Sequence, residues 1–262
     1  MSKVRRGNGK VLLSFDIEEF DLPREHGGKI TLKQGVKVSS GGLERILKVL
    51  DQTGVKATFF VTGNFLTENT EAVKEIVGRG HEVGAHGVDH FAPKASDIAQ
   101  AKRMIERATG ARVEGYRQPR MGKQDYTELS LQGYSYDSSV NPAWIPGRYN
   151  NFSVPRRAFK REGIWEIPTS VATKARIPTF WLALHIFPFW LYFWLVKRAL
   201  KETGYLATYF HPWEFGEIKG FKEVPAYIKL NSGERMKKRL LKLILRLQKE
   251  GCEFLTYREF IR

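Results

Sequence analysis

The histidine pair of H-G-V-D-H, His86 and His90, is where chemistry first shows in this sequence. On a helical turn a spacing of four puts both imidazoles on one face, so both can reach one metal ion. Two imidazoles joined by a carboxylate form a known catalytic zinc arrangement, with a position left open for water. The run V-L-L-S-F-D-I-E-E-F-D at Val11–Asp21 ends in four carboxylates, Asp16, Glu18, Glu19 and Asp21. Clustered acids repel one another unless a cation or basic groups offset them. These acids are therefore expected to supply one metal ligand and one base.

Such residues must be positioned by regular elements. Strand candidates are Val11–Asp16, Val55–Thr62, Glu82–His86, Arg112–Arg117, Tyr134–Ser138, Ile164–Pro168, Tyr205–His211 and Glu253–Thr256. Amphipathic stretches lie between them. Leu43, Ile46, Leu47 and Leu50 follow helical spacing, with Ser39 or Ser40 as cap and Gly54 as stop. Thr67–Arg79, Ser96–Thr109, Asp125–Gln132 and Arg235–Lys249 read as further helices. Alternating strands and helices imply a parallel sheet. About eight strands is the count for a closed or nearly closed (β/α) barrel of seven to eight strands, a single domain over residues 1–262. Barrel chemistry sits at the C-terminal ends of the strands. Asp16, Glu18, His86, Arg117, Asp137 and His211 all fall there.

The chain has 262 residues, 42% apolar and 13% aromatic, enough for a sizeable core. Its single cysteine, Cys252, excludes a disulfide framework or a cysteine-based metal cluster. The formal charge of +15 suits an anionic partner or a solvated basic face. The basic residues form no recognised nucleic-acid reader. The opening M-S-K-V-R-R-G-N-G-K precedes only three apolar residues, which does not read as a secretory signal and places the chain in the cytoplasm as an expectation.

In order, S-F-D-I-E, H-G-V-D-H, R-Q-P-R (Arg117–Arg120), Y-D-S-S (Tyr136–Ser139) and F-H-P-W-E-F (Phe210–Phe215) resemble the motifs of the polysaccharide deacetylases, relatives of the nodulation-factor deacetylase. A-T-F-F-V-T-G-N-F and G-H-E-V-G-A-H extend the resemblance over about residues 11–215. It implies a distorted (β/α) barrel and hydrolysis of an N-acyl group from an amino sugar. By resemblance, Asp16 is the general base and Arg117 orients it. His211 is the general acid, tuned by an aspartate for which Asp137 is the candidate. The metal is held by His86, His90 and an acid near Asp16. The family's common pattern has two adjacent aspartates, whereas Ile17 follows Asp16 here. Glu18 stands in as ligand and points to the same side of a strand as Asp16; Glu19 is the alternative. One divalent metal is expected, zinc first, with iron, cobalt or nickel compatible with the same donors.

Trp213 is expected to wall the pocket. Asp21–Ser40 reads as a long loop whose Arg24, Glu25 and His26 either shape or merely cover the site. Phe180–Val196 is apolar and aromatic, interrupted by His185 and Pro188. A single membrane span there would put His211 on the far side from Asp16, so it conflicts with one active site. Core packing is the preferred reading, and an interfacial anchor beside Lys197, Arg198 and Lys201 is the other. The expected substrate is a nucleotide- or lipid-linked amino sugar of surface-polysaccharide assembly, with peripheral association with an anionic membrane. The alternatives are hydrolysis of another C–N bond, a formamide or cyclic amide, and a catalytically silent membrane- or glycan-binding barrel.

Overall fold

The computed structural model describes residues 9–145 and 149–262. Nine strands form the main sheet: β1 (Lys10–Ile17), β2 (Thr58–Val61), β3 (Glu82–Ala85), β4 (Gly115–Tyr116), β5 (Tyr136–Asp137), β6 (Phe159–Arg161), β7 (Ile164–Glu166), β8 (Tyr205–Phe210) and β9 (Glu253–Leu255). Their order is β8-β1-β2-β3-β4-β5-β7-β6, and β9 also pairs with β1. Every pair is parallel except β6 with β7, which form a hairpin. The sheet curls into an α/β half-barrel whose edges, β6 and β8, are not joined to each other. Ser170 bridges toward β8: its N–H donates to the Ala207 carbonyl at 2.8 Å and its hydroxyl accepts from the Ala207 N–H at 2.9 Å.

All eight expected strands are present, several shorter than expected. β6 was not expected. Its residues Lys160 and Arg161 are exposed and lack an apolar signal, as suits the edge strand of a hairpin. β1 is buried at every position after Lys10, as a central parallel strand covered on both sides requires.

Helices cover the outside: α1 (Leu32–Thr53), α2 (Thr70–Gly78), α3 (Asp97–Thr109), α4 (Tyr126–Leu131), α5 (Trp181–Ile186), α6 (Phe189–Thr203), α7 (Pro212–Phe215), α8 (Ala226–Lys229), α9 (Glu234–Lys249) and α10 (Tyr257–Ile261). α1 corrects the expected loop and cap. Its start is Thr31, whose hydroxyl and Gln34 form a capping box, so Ser39 and Ser40 lie inside the helix. A glycine inside a helix costs about 1 kcal/mol against alanine. Gly42 is there because a Cβ would lie 1.8 Å from the Pro212 carbonyl oxygen. The missing side chain lets α1 press against α7 and so fix the segment that follows His211.

The barrel floor is a small cluster of Leu12, Phe60, Tyr136, Ile167, Tyr205, Ala207 and Tyr257. Tyr257, on the last helix, stacks on Tyr136 with centroids 5.7 Å apart. The larger core lies between the sheet and its helices.

The aromatic segment forms two helices, α5 and α6, separated by Phe187–Pro188. One side packs in the core through Tyr192, Phe193, Leu195, Val196, Ala199 and Leu200, as expected. The other side exposes Trp190 and Trp194. Among the described residues no helix is long and apolar enough to cross a membrane.

Candidate active site

Asp16 sits near the end of β1, and its Oδ1 accepts from Arg117 Nη1 at 2.6 Å. Arg117 follows β4 and is fully buried. All five of its N–H groups are used. Nε donates to the Ser138 carbonyl at 2.9 Å, Nη1 to Ser14 Oγ at 3.0 Å as well as Asp16, and Nη2 to Ser138 Oγ at 2.9 Å and Tyr257 Oη at 3.1 Å. Burial alone would lower the guanidinium pKa, yet the Asp16 charge raises it. The guanidinium thus stays charged against the carboxylate despite its burial.

Glu18 points the same way as Asp16, one step past the strand. Its Oε2 lies 2.9 Å from His90 Nε2 and 3.4 Å from His86 Nε2. The two rings face it with defined tautomers. His86 Nδ1 is 2.8 Å from the Arg117 carbonyl, which can only accept, so Nδ1 carries the proton and Nε2 presents a lone pair. His90 Nδ1 is likewise 2.9 Å from Asp21 Oδ2. Glu18 Oε2 is buried without a hydrogen-bond partner. One donor atom from each of Glu18, His86 and His90 lies within 4.8 Å of the others. With both rings neutral, their Nε2 atoms and the Glu18 carboxylate converge as acceptors that a divalent cation would satisfy, and outer partners orient both rings as in metal sites. Burial opposes charge on His90, yet Glu18 and Asp21 raise its pKa. The field at this point favours positive charge.

The other acids have separate work. Glu19 Oε2 accepts from Thr62 Oγ1 and its Oε1 from Asn64 Nδ2, each at 3.0 Å, which ties β1 to β2 and takes Glu19 out of the ligand set. Asp21 holds His90 and pairs with Arg120 at 3.3 Å. The H-G-V-D-H turn needs its glycine: Gly87 has φ +67° and lies against Pro119. Arg120 and Met121, with φ of 60° and 52°, adopt left-handed backbone beside the site, a conformation that costs non-glycine residues energy.

His211 follows β8. Its Nδ1 is 2.9 Å from Glu214 Oε1, three residues on, and its Nε2 is 3.9 Å from Glu18 Oε1. Glu214 is fully buried, and its Oε2 lies 3.1 Å from His185 Nε2. Burial would raise the Glu214 pKa, but the two histidines lower it. Burial would lower the His211 pKa, but Glu18 and Glu214 raise it. The His211 ring stacks on Trp213 at 4.8 Å, and Trp213 Nε1 donates to Glu18 Oε1 at 2.9 Å. The expected wall residue is thus also a partner of the carboxylate.

Asp137 does not take the place expected of it. Its Oδ1 accepts from Ser139 Oγ at 2.6 Å and it lies beside Glu166, away from the His211 ring nitrogens. Burial raises the pKa of both carboxyls, and Asp137 adds to the effect on Glu166. Glu214 holds His211 in its stead. The signal was in F-H-P-W-E-F, where an acid three residues after the histidine on a helical turn can reach back to it. Glu25 and His26 line the pocket, while Arg24 lies over the Phe91 ring at 3.8 Å.

The curled sheet gathers imidazoles and carboxylates at the C-terminal ends of its parallel strands, where α/β barrels carry their sites. This chain belongs to the polysaccharide deacetylase family, whose model matches residues 4–137. A second model, described as a domain of unknown function (DUF3473), matches residues 138–262, which contain His211 and Glu214. The peptidoglycan deacetylase of Helicobacter pylori is 33% identical over 118 residues, 42% of this chain and 40% of that protein. The peptidoglycan-N-acetylglucosamine deacetylase PgdA of Listeria monocytogenes is 42% identical over 52 residues, 20% of this chain and 11% of that one. These matches span less than half of either relative. Among solved structures, a Mycobacterium smegmatis protein has TM-score 0.65 at 16% identity, covering 99% of this chain and 91% of that one. Bacillus subtilis PdaA, a family 4 carbohydrate esterase, has TM-score 0.54 at 17% identity, covering 97% and 80%. A Bacillus anthracis pseudoenzyme of the CE4 family has TM-score 0.57 at 17% identity, covering 97% and 66%. At these identities the structural likeness speaks to the fold.

Proposed function

We propose that this protein hydrolyses the N-acetyl amide of an amino sugar, using a divalent cation held by Glu18, His86 and His90. The observation that carries the reading is the meeting, at one barrel mouth, of the Asp16–Arg117 pair, the Glu18–His86–His90 cluster and the His211–Glu214 pair. The bound cation, zinc in this reading, supplies a Lewis acid for the acyl carbonyl and lowers the pKa of a water. Asp16, held by Arg117 at 2.6 Å, is the base that takes the water's proton. His211, kept protonated by Glu214, gives its Nε2 proton to the leaving amine, which would otherwise depart poorly. Trp213 and Trp181 flank the His211 ring and fix its plane.

The substrate in this reading is a nucleotide- or lipid-linked precursor handled on the cytoplasmic side, in keeping with the basic charge of the chain. The relatives named for peptidoglycan make its fragments the competing class. The test is acetate release from a panel of nucleotide-linked, lipid-linked and peptidoglycan-derived N-acetylated sugars, with metal analysis of the same preparation. Activity that needs the metal and is lost in Asp16→Asn supports the proposal. A wild-type protein that binds metal stoichiometrically yet releases no acetate from any of them overturns it.

A further inference from the structure

We propose that the outer face of α5, α6, α8 and α9 docks on an anionic phospholipid bilayer and turns the pocket mouth toward it. The exposed stripe of α6 reads Trp190, Trp194, Lys197 and Lys201, at spacings of four, three and four, so aromatics pass directly into cations. Trp190 is 72% exposed, and Trp194, Ile186, Tyr227 and Leu230 are each about half exposed. α9 presents a second stripe, Lys238, Lys242, Leu245, Arg246 and Lys249, around a shallow groove. The stripes adjoin: Lys242 Nζ lies 4.4 Å from the Phe189 ring centroid, and Arg239 donates to the Leu184 and Phe187 carbonyls of the α5 segment at 2.8 and 2.6 Å. Asn231, just past α8, donates to the His185 carbonyl at 2.6 Å, which ties α8 to α5. The acids on or beside these helices are Glu202, paired with Arg156 and Arg198, Glu234, paired with Arg45 and Lys237, and Glu250; the cations outnumber them.

Exposed tryptophans grouped on one side of a helix and flanked by lysines are the composition of an interfacial surface, with rings at headgroup depth and cations on anionic phosphates. The patch reaches the active site, because Tyr227 is both half-exposed on α8 and a lining residue of the pocket that holds Asp16 and His211. In this last part the inference rests on the deacetylase reading: a sugar carried at a membrane surface would meet the pocket there.

The test is sedimentation of the full chain with vesicles of phosphatidylcholine, alone or mixed with phosphatidylglycerol. Wild type is expected to pellet with the anionic vesicles and to be released by salt. Trp190→Ala/Trp194→Ala and, separately, Lys197→Glu/Lys201→Glu/Lys242→Glu should each weaken binding by about tenfold or more, with an unchanged denaturation midpoint. Arg103→Glu/Arg107→Glu, on α3 beside β3, should bind as wild type. Three outcomes overturn the proposal: no binding to anionic vesicles, equal loss in the α3 variant, or a dimer in solution that the tryptophan variant returns to monomer. No hydrolysis is read, so failure here leaves the deacetylase reading standing, and an inactive but vesicle-bound protein does the reverse.

Discussion

Arg117 and Asp16 meet at 2.6 Å in a place that admits no solvent to the guanidinium, and the arginine has no N–H left to give. Arg117→Met should leave a buried, uncompensated carboxylate and cost about 3–5 kcal/mol of stability. Arg117→Lys keeps the charge but loses the fork that reaches Ser14, Ser138 and Tyr257 together, so it should destabilise less and still slow turnover. Chemical denaturation of both variants checks the order; a lysine variant as stable and active as wild type would refute it.

Glu214 and Asp137 separate the structure's reading of His211 from the sequence's. Glu214→Gln should lower kcat by about 10²-fold with KM little changed, because it withdraws support for the protonated ring. Glu214→Asp should recover part of the loss. Asp137→Asn should leave kcat within a few-fold of wild type. Steady-state kinetics on the three variants decides between the two acids.

In the proposed metal site the residues behind the ligands should set affinity. Asp21→Asn weakens the orientation of His90, and Trp213→Phe frees Glu18 Oε1. Each is expected to reduce affinity by about 10–100-fold, read by competition with a chelating dye. His86→Ala and His90→Ala should lose the ion outright, while His211→Ala keeps it. Chelation should lower the denaturation midpoint of wild type and not that of His86→Ala.

His81 gives a pH signature remote from the pocket. It lies against Phe59 with ring centroids 5.2 Å apart, and burial, aided by Lys56, lowers its pKa to about 4. The unfolded value is about 6.5, so between these values the unfolded chain binds more protons. Stability is then fully present above about pH 6.5 and falls as pH drops through that window toward 4. His81→Gln should flatten this part of the profile in urea midpoints measured between about pH 7 and 4. An unchanged slope would assign the acid sensitivity elsewhere.

The strands were legible because β1, β2, β3 and β8 are buried runs bounded by turn residues, a signal that needs only neighbours in sequence. The start of α1 was not, because Ser39 and Ser40 are good cap residues by type, while the reason Gly42 is tolerated inside the helix is Pro212, far away in the chain. Glu18 stood ahead of Glu19 on the family resemblance and on strand alternation; in the structure Glu18 lies beside His86 and His90, while Glu19 is occupied by Thr62 and Asn64. The partner of His211 was missed because the family pattern supplied an aspartate and the nearby glutamate went unweighed. Tyr257 was invisible to any local reading, since it meets Arg117 across 140 positions.

That last contact ties the proposed base, through Arg117, to α10. Tyr257 braces the guanidinium from beneath, so proteolytic trimming ahead of it would disarm the catalyst while leaving every pocket-lining side chain in place. Assembly of the proposed site thus waits on the docking of α10, and turnover doubles as a readout of whether that helix has seated.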